Sequence, residues 1–554
     1  MNRPCLARDQ CGEGPHGHDQ PESCVQQAAS HRCPFEVALF LLLGRWPDDG
    51  EQVAGEQRAT EGQRQEGEEV VAEEHPAIMT EVLACDTDPM SVETVVETVV
   101  ELFARSNSTL HFDDASHVSA GDLLADGRRM AAQLRASGVR RGDRLALHLP
   151  NGAEYVRRLL ACAVGGFVAV SVNTRYSDDE VSSLHARSGA LDPPWGRPQG
   201  ESWSEEPQGG ADDPFVVFTT SGTTSAPKLV LHAQRSVAVH AGDAAAGLGY
   251  SAEDVVMVAM PLCGTFGLAS LTAAIAADAT VVLTDFELAR AAELIGRHRV
   301  TAINGSDDMF HRLIQFGAPM STIRLGGHAR FNTSLDRVVA DAEDVGARLT
   351  GLYGMSEVQA LFSVRDASAD ASERARPGGT LVSPRASYRL IDGELQLKGP
   401  SLMVGYLAEG GGSIDHELTA AHFDDGWFCT GDLARVDDDR TFEYLTRRGD
   451  AMRLGGFLVD PTEIEGVILG LDGVTGVQVV AVDRPGGARP VAFVIGSFDE
   501  DEVIAHCRLR LARFKVPIRI LQVETFPTTS GANGTKIQRS RLREVAASLL
   551  GDRP

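Results

Sequence analysis

Residues 218–232 read Phe-Thr-Thr-Ser-Gly-Thr-Thr-Ser-Ala-Pro-Lys-Leu-Val-Leu-His. An apolar run, Phe215 to Phe218, empties into a turn that carries six hydroxyls (Thr219, Thr220, Ser221, Thr223, Thr224, Ser225), one glycine (Gly222) and one lysine (Lys228). Backbone N–H groups and hydroxyls on such a turn suit a polyphosphate, and the lysine adds a compact point charge. Lysine is rare here: the chain has four, Lys228, Lys398, Lys515 and Lys536. The window is not a Walker A loop, since no Gly-Lys-Ser/Thr opens a helix. The bland alternative is a solvated Ser/Thr loop.

Four further windows carry chemistry. Gly351-Leu352-Tyr353-Gly354-Met355-Ser356-Glu357 places an aromatic face, a hydroxyl and a carboxylate within five residues. Those groups can stack a base, touch a phosphate and hold Mg2+. Trp427-Phe428-Cys429-Thr430-Gly431-Asp432 ends on an acid just after a glycine, which reads as a turn whose Asp432 suits ribose hydroxyls. Arg447-Arg448-Gly449-Asp450 is followed by Gly455-Gly456-Phe457 at a domain junction, and Pro527 to Lys536 sets a lysine on a Gly-rich loop before an Arg-rich helix. Each has a structural alternative: Tyr353 as core, Asp432 as a turn former, Arg447 as a surface charge, Lys536 as a solvated cation.

The elements that must position these groups alternate between strand and helix. Ala120–Ser137 has apolar residues at helical spacing, Arg144–Leu149 reads as a strand, Ala153–Ala163 as a helix and Phe167–Val172 as a buried strand. Val255–Met260, Thr280–Leu283 and Ala302–Ile303 are further strands, each followed by a helix. This alternation predicts an α/β fold with a largely parallel sheet. Ser387–Asp392 and Glu394–Lys398 predict a hairpin closed by Asp392-Gly393, and residues 191–214, rich in proline, glycine and acids, predict a loop or a deletion where elements are absent.

At 554 residues the chain exceeds one ordinary core, so two or more domains are expected. A net charge of -27 argues against general binding to nucleic acid or anionic membranes. No apolar run approaches a membrane span, and nine scattered cysteines without a Cys-x-x-Cys pair predict a reducing, cytoplasmic setting. Residues 1–78 hold Cys5, Cys11, Cys24 and Cys33 and a Glu/Gln/Gly run. Their cysteine spacings fit no common zinc pattern, so the segment is expected to be a disordered extension, or a mis-assigned start with Met79 as the first residue.

Taken in order, these windows resemble the AMP-forming acyl-CoA synthetases of the adenylate-forming superfamily. The resemblance spans about residues 92–545. It includes Gly138-Val139-Arg140-Arg141-Gly142-Asp143-Arg144, Asn173-Thr174-Arg175-Tyr176, the turn at 219–228, Tyr353–Glu357, Gly399-Pro400 with Gly405-Tyr406, Thr430-Gly431-Asp432, Pro461-Thr462-Glu463-Ile464-Glu465, and Lys536 with Arg539. It implies a large multi-sheet N-terminal domain (92–446), a hinge (447–449) at Gly449, and a smaller mobile α+β C-terminal domain (450–554). It also implies an ATP-dependent carboxylic acid–CoA ligase working through an acyl-adenylate, with ATP, Mg2+ and coenzyme A. Thr219, Thr220, Ser221, Gly222, Thr223, Thr224 and Lys228 would hold the β/γ-phosphates, and Gly326 to Ala329, Gly327 included, would frame the adenine with Tyr353. Ser356 would meet the α-phosphate, Glu357 the Mg2+, and Asp432 and Arg447 the ribose. Lys536 would bridge the acid and the α-phosphate. In the thioester-forming pose the Gly455-Gly456 segment would face the site instead.

The chain departs from the family pattern at Ser225 and Leu229, where glycines are usual, at Gly264, where a histidine is frequent, at Gly449, where the hinge is usually acidic, and in a short 191–214 region. Pro261 to Leu268 contains no acid to hold an amino group, so the expected substrate is a fatty or aromatic/alicyclic acid. Two alternatives stay open: loading of an acyl-carrier protein, and a degenerate nucleotide-binding protein without turnover.

Overall fold

The structure is a computed structural model that describes residues 96–198, 208–220, 227–331, 335–454, 457–484, 487–531 and 534–550. The expected extension at 1–78, with its cysteines, lies outside the described residues.

Two sheets organise the larger part. In the 14-stranded sheet, Thr109–His111, Thr280–Leu283, Val255–Val258, Ala302–Ser306, Leu325–Ala329 and Leu349–Met355 run parallel side by side. Val255–Val258 and Thr280–Leu283 are nearly continuous β-branched and apolar runs, as expected for strands covered by helices on both faces. Beyond Leu349–Met355 the neighbours turn antiparallel, through Gln359–Val364, Gly378–Leu381, Thr441–Arg447, Trp427–Val436, Glu394–Lys398 and Ser387–Ile391. The five-stranded sheet repeats this change. Arg144–Leu147, Val168–Ser171 and Pro214–Thr219 are parallel, then Leu229–Ala233 and Gly405–Tyr406 add antiparallel.

Helix Gln234–Leu248 touches strands of both sheets and ties them together. Helix Thr265–Ala276 packs beside it and is apolar around its whole circumference, which marks a helix inside the core rather than on it. The expected helices and strands at Ala120–Ala136, Arg144–Leu147, Ala153–Gly165 and Val168–Ser171 are all present, as is the Ser387–Ile391/Glu394–Lys398 hairpin. In the 191–214 region, Leu191 pairs with Leu145 along the edge strand Arg144–Leu147, and Arg158 lies over the Trp195 ring at 4.9 Å. That edge is therefore covered rather than open, at least through residue 198.

Tyr353 lies within the strand Leu349–Met355, where a Cβ on Gly351 would stand 2.2 Å from the Arg376 carbonyl oxygen, so glycine there permits close packing. Two sequence expectations need correcting. Asp432 is not at a turn between elements but inside the strand Trp427–Val436. Lys536 sits on the strand Gly534–Ile537, paired with Thr528–Gly531, rather than on a free loop.

The C-terminal part has its own cores around Val474–Val482, Arg489–Gly496 and Arg519–Gln522, backed by helices Pro461–Leu469, Glu500–Arg510 and Arg539–Leu550. Here two motifs that were separate in the sequence meet. Arg539 Nη2 lies 2.8 Å from Glu465 Oε1, Arg539 Nη1 donates to the Val479 carbonyl at 3.1 Å, and the Val479 N–H donates to Glu465 Oε1 at 2.8 Å. Glu465 is 2% exposed, so its charge depends on these partners. Among the described residues, no helix is long and apolar enough to cross a membrane.

Arg539→Ala should destabilise the C-terminal part by about 3–5 kcal/mol, because it leaves a buried carboxylate unpaired. The double variant Glu465→Met/Arg539→Leu should lose much less. Urea unfolding of both variants checks the difference; equal losses would mean that charge pairing is not what holds this helix down.

Candidate active site

In open α/β sheets, ligands bind beyond the carboxyl ends of strands where the sheet changes its winding. Both sheets change at strands that lead into the candidate windows: Leu349–Met355 runs directly into Ser356 and Glu357, and Pro214–Thr219 runs into the hydroxyl-rich turn.

The neck of that turn is closed by two reciprocal bonds. The Thr220 N–H donates to the Lys228 carbonyl at 3.0 Å, and the Lys228 N–H donates to Thr220 Oγ1 at 3.0 Å. Thr219 Oγ1 is 3.0 Å from the Tyr176 hydroxyl. The turn is followed by the strand Leu229–Ala233, not a helix, consistent with its departure from a Walker A loop. Ser221, Gly222, Thr223 and Thr224 lie outside the described residues.

Lys228 reaches away from the neck. Its Nζ is 2.7 Å from His422 Nε2 and 4.8 Å from the centroid of the Tyr406 ring. Partial burial holds its pKa below the ordinary lysine range, against the pull of Glu357, and Arg447 pushes the same way as burial. The Tyr406 hydroxyl donates to Glu357 Oε1 at 3.0 Å, and burial, reinforced by Glu357, raises that phenol. Glu357 is itself buried, and its second carboxylate oxygen has no hydrogen-bond partner among the described residues. Among those residues no group of three or more His, Cys, Asp or Glu could hold a metal. A single buried carboxylate with one oxygen to spare fits Mg2+, which keeps waters and takes substrate phosphates rather than an all-protein cage.

Asp432 is the centre of the second cluster. It stands opposite Arg447 across the antiparallel pair Trp427–Val436 and Thr441–Arg447. Gly431, at φ 72°, bends the strand just before it, a conformation that favours glycine. The Asp432 N–H donates to Thr430 Oγ1 at 3.0 Å. The Tyr353 hydroxyl donates to Asp432 Oδ2 at 2.6 Å, and Arg447 Nε lies 2.8 Å from Oδ1. Tyr353 is packed edge-on against Phe442, at 5.2 Å between centroids. Burial first, then the Asp432 charge, holds the Tyr353 phenol protonated far above its ordinary range, and Asp432 raises Arg447. The Arg447 side chain is 51% exposed, so its pair with Asp432 faces an open side. Glu357 also contributes to the field at Arg447, which links the two clusters electrostatically.

The remaining candidates are spread around these groups. Ser356 is buried and its carbonyl accepts from His232 Nε2 at 2.7 Å. Gly326 and Gly327 lie in the buried strand Leu325–Ala329; a Cβ there would stand 2.2 Å from Leu349 Cδ2 and 2.3 Å from Asn304 Oδ1 respectively. Packing alone therefore accounts for glycine at both positions. Gly449 has open space where a Cβ would be, and just beyond it Asp450 pairs with Arg543 at 2.6 Å, tying the last helix to the junction. Gly455 and Gly456, and the Lys536 side chain, lie outside the described residues. Sequence reading missed His232, His422 and Tyr444, whose ring centroid lies 5.8 Å from that of Tyr353, and gave Tyr406 no side-chain role. Tyr444 had a signal, the alternation Phe442-Tyr444-Thr446 on one strand face; the lone histidines had none.

The chain matches the AMP-binding enzyme family over residues 101–191 and 186–407, more than half its length, and the AMP-binding enzyme C-terminal domain over 463–532. The chain belongs to the AMP-binding enzyme family. It is an AMP-forming acyl-CoA synthetase of the adenylate-forming superfamily. It is 30% identical to a 3-(7a-methyl-1,5-dioxo-octahydro-1H-inden-4-yl)propanoyl:CoA ligase of Mycobacterium tuberculosis, covering 75% of this chain and 91% of that one. It is 29% identical to the 2-succinylbenzoate–CoA ligase of Listeria monocytogenes, covering 75% and 92%. Among solved structures it is similar to o-succinylbenzoate CoA synthetase of Bacillus subtilis in complex with its acyl-adenylate intermediate, at 25% identity, TM-score 0.69, and coverage of 80% and 97%. The large N-terminal sheet domain and small C-terminal domain are the fold of this family.

Two results are expected. Tyr353→Phe should cost about 1.5–3 kcal/mol in urea unfolding, the range for a buried hydrogen bond to a charged group, while leaving the Arg447 pair in place; an unchanged midpoint would exclude that bond. Burial holds His232 and His328 down at about 4, below the ordinary 6.5. The unfolded chain then takes up protons first as pH falls, so stability contributed by these neutral histidines is full above pH ~6.5 and is lost towards pH ~4. His232→Gln should flatten that loss in a series of melts from pH 7.5 to 4.5; an identical slope would remove His232 from the linkage.

Proposed function

We propose that this synthetase joins a fatty or aromatic/alicyclic carboxylic acid to coenzyme A with cleavage of ATP to AMP and pyrophosphate. One observation carries the reading: a buried carboxylate–tyrosine–arginine cluster (Asp432, Tyr353, Arg447) lies within electrostatic reach of Lys228 and Glu357, at the carboxyl ends of both switch strands. In this reading Asp432 and Arg447 take the ribose hydroxyls, Tyr353 and the Gly326–Ala329 strand flank the adenine, and Ser356 meets the α-phosphate. Lys228 and the turn at 219–224 take the β/γ-phosphates, and Glu357 holds Mg2+. The ion, when bound, neutralises phosphate charge. The acid's carboxylate oxygen bonds to the α-phosphorus and the bond to pyrophosphate breaks. The coenzyme A sulfur then bonds to the acyl carbon, AMP leaves, and the thiol proton passes to solvent. Rate comes from positioning and from fixed charge aimed at the developing oxyanions.

The apolar character of the acid is supported by Cys263, Phe266, Gly267 and Leu268, all buried at the start of helix Thr265–Ala276, with the Cys263 thiol pushed up to about 12 by burial. It is also supported by the aromatic and alicyclic acids in the names of the relatives. The deciding experiment gives purified protein Mg·ATP and a panel of such acids and follows pyrophosphate release with and without coenzyme A. Release with thioester formation is expected. Adenylation without a coenzyme A thioester would point to a carrier protein as acceptor, and ATP binding without release would mean no turnover.

Asp432→Ala should raise KM for ATP in a chain that stays folded at lower stability, since a ribose-binding group serves ground and transition states together; unchanged ATP affinity would take Asp432 out of the site. Lys536→Ala should lose acyl-adenylate synthesis by about 10²–10³-fold, yet still convert supplied acyl-AMP and coenzyme A to the thioester. Gly449→Pro should show the reverse pattern, because a stiff hinge impedes rotation between half-reactions. Equal loss of both half-reactions in both variants would overturn domain rotation here.

A further inference from the structure

His422 belongs to none of the motifs, yet it is the nearest polar neighbour of the lysine that leaves the phosphate turn. Its Nδ1 lies 2.9 Å from the Leu418 carbonyl oxygen, which can only accept, so Nδ1 carries the ring proton. Nε2 is then a bare lone pair, 2.7 Å from Lys228 Nζ, and accepts from the ammonium. The ring cannot turn freely. It stacks on Phe428 at 6.5 Å and 14° between planes, and Tyr406 meets it edge-on at 5.1 Å. The Leu418 carbonyl belongs to the helix His416–Ala420, and the Cys429 N–H holds the His422 carbonyl at 2.8 Å, so backbone as well as ring is fixed.

An ammonium has three N–H donors. His422 takes one, the Tyr406 ring face draws another, and one remains for an incoming oxygen. A lysine on a four-carbon stem ordinarily samples many rotamers, and fixing it beforehand removes that cost from ligand binding. We propose that His422 is a positioning residue: it holds Lys228 so that its remaining N–H is presented to the terminal phosphates of ATP and to pyrophosphate. This rests on the placing of the β/γ-phosphates at Lys228, and its test separates the two.

The test is titration calorimetry with Mg·ATP, Mg·pyrophosphate and AMP on the full chain. His422→Phe keeps the ring and its stacking but has no acceptor. It should weaken Mg·ATP and Mg·pyrophosphate about tenfold and leave AMP, which has no terminal phosphates, unchanged. His422→Gln offers an amide oxygen near the place of Nε2 and should recover most of the loss. In the Lys228→Ala background, His422→Phe should have no further effect, since residues that act through one contact are not additive. Equal weakening of AMP and ATP, no weakening of either, or a full additional effect in the Lys228→Ala background would each overturn the inference. If Lys228→Ala alone leaves ATP and pyrophosphate binding intact, the phosphate assignment itself fails, and the two failures are told apart.

Discussion

The Asp432 carboxylate is the fixed point of this molecule. It is buried inside a strand, and a buried carboxylate persists as a charge only when donors surround it. Tyr353 supplies an O–H from the strand where the large sheet changes from parallel to antiparallel, and Arg447 supplies a guanidinium from the strand next door. Three strands are therefore held in register by one charge. Gly431, at φ 72°, bends the strand just before that carboxylate. Arg447 is the last residue of its strand, so the same ion pair sits where that strand ends.

A second constraint follows from the first. The five-stranded sheet brings Lys228 to the same place through a hairpin, and Gly405–Tyr406 is added to that hairpin's edge. Tyr406 then spans the gap to Glu357 on the larger sheet. Each sheet alone brings half of the cluster: lysine and hydroxyls from one, carboxylate and tyrosine from the other. Helix Gln234–Leu248, which contacts both, fixes their separation. The C-terminal part is held in a similar way, by a buried Glu465–Arg539 pair inside it and by Arg543 on Asp450 at the junction. Among the described residues, the buried carboxylates Asp432, Glu465 and Asp254 are paired with arginines, whereas buried Glu357 takes its hydrogen bond from the Tyr406 hydroxyl.

Strand and helix alternation and the hairpin at Asp392-Gly393 were legible from residue types and spacing, because those depend on local periodicity and short runs; the family was legible through the resemblance of its ordered motifs. Less legible was the tertiary reason for several glycines. In the sheet Gly351 and Gly354 make room for backbone at 2.2 Å and 2.6 Å from where a Cβ would stand. Gly431 looks like a turn but is a bend within a ten-residue strand. At Gly326 and Gly327 neighbouring side chains leave no room for a Cβ, whatever else the strand does.

The sequence by itself determined the chemistry on offer: a hydroxyl-rich turn with one lysine, an aromatic–hydroxyl–carboxylate run, an acid after a glycine, and arginines and lysines near the junction. It could do so because each of those groups is close to its neighbours along the chain. Which of them meet was decided only by the tertiary structure. Tyr353 and Asp432 are 79 residues apart, Lys228 and His422 are 194 apart, and Glu465 and Arg539 are 74 apart. No local pattern encodes such pairs. They arise from the order in which strands enter two sheets and from the burial that makes an unpaired charge too costly to keep.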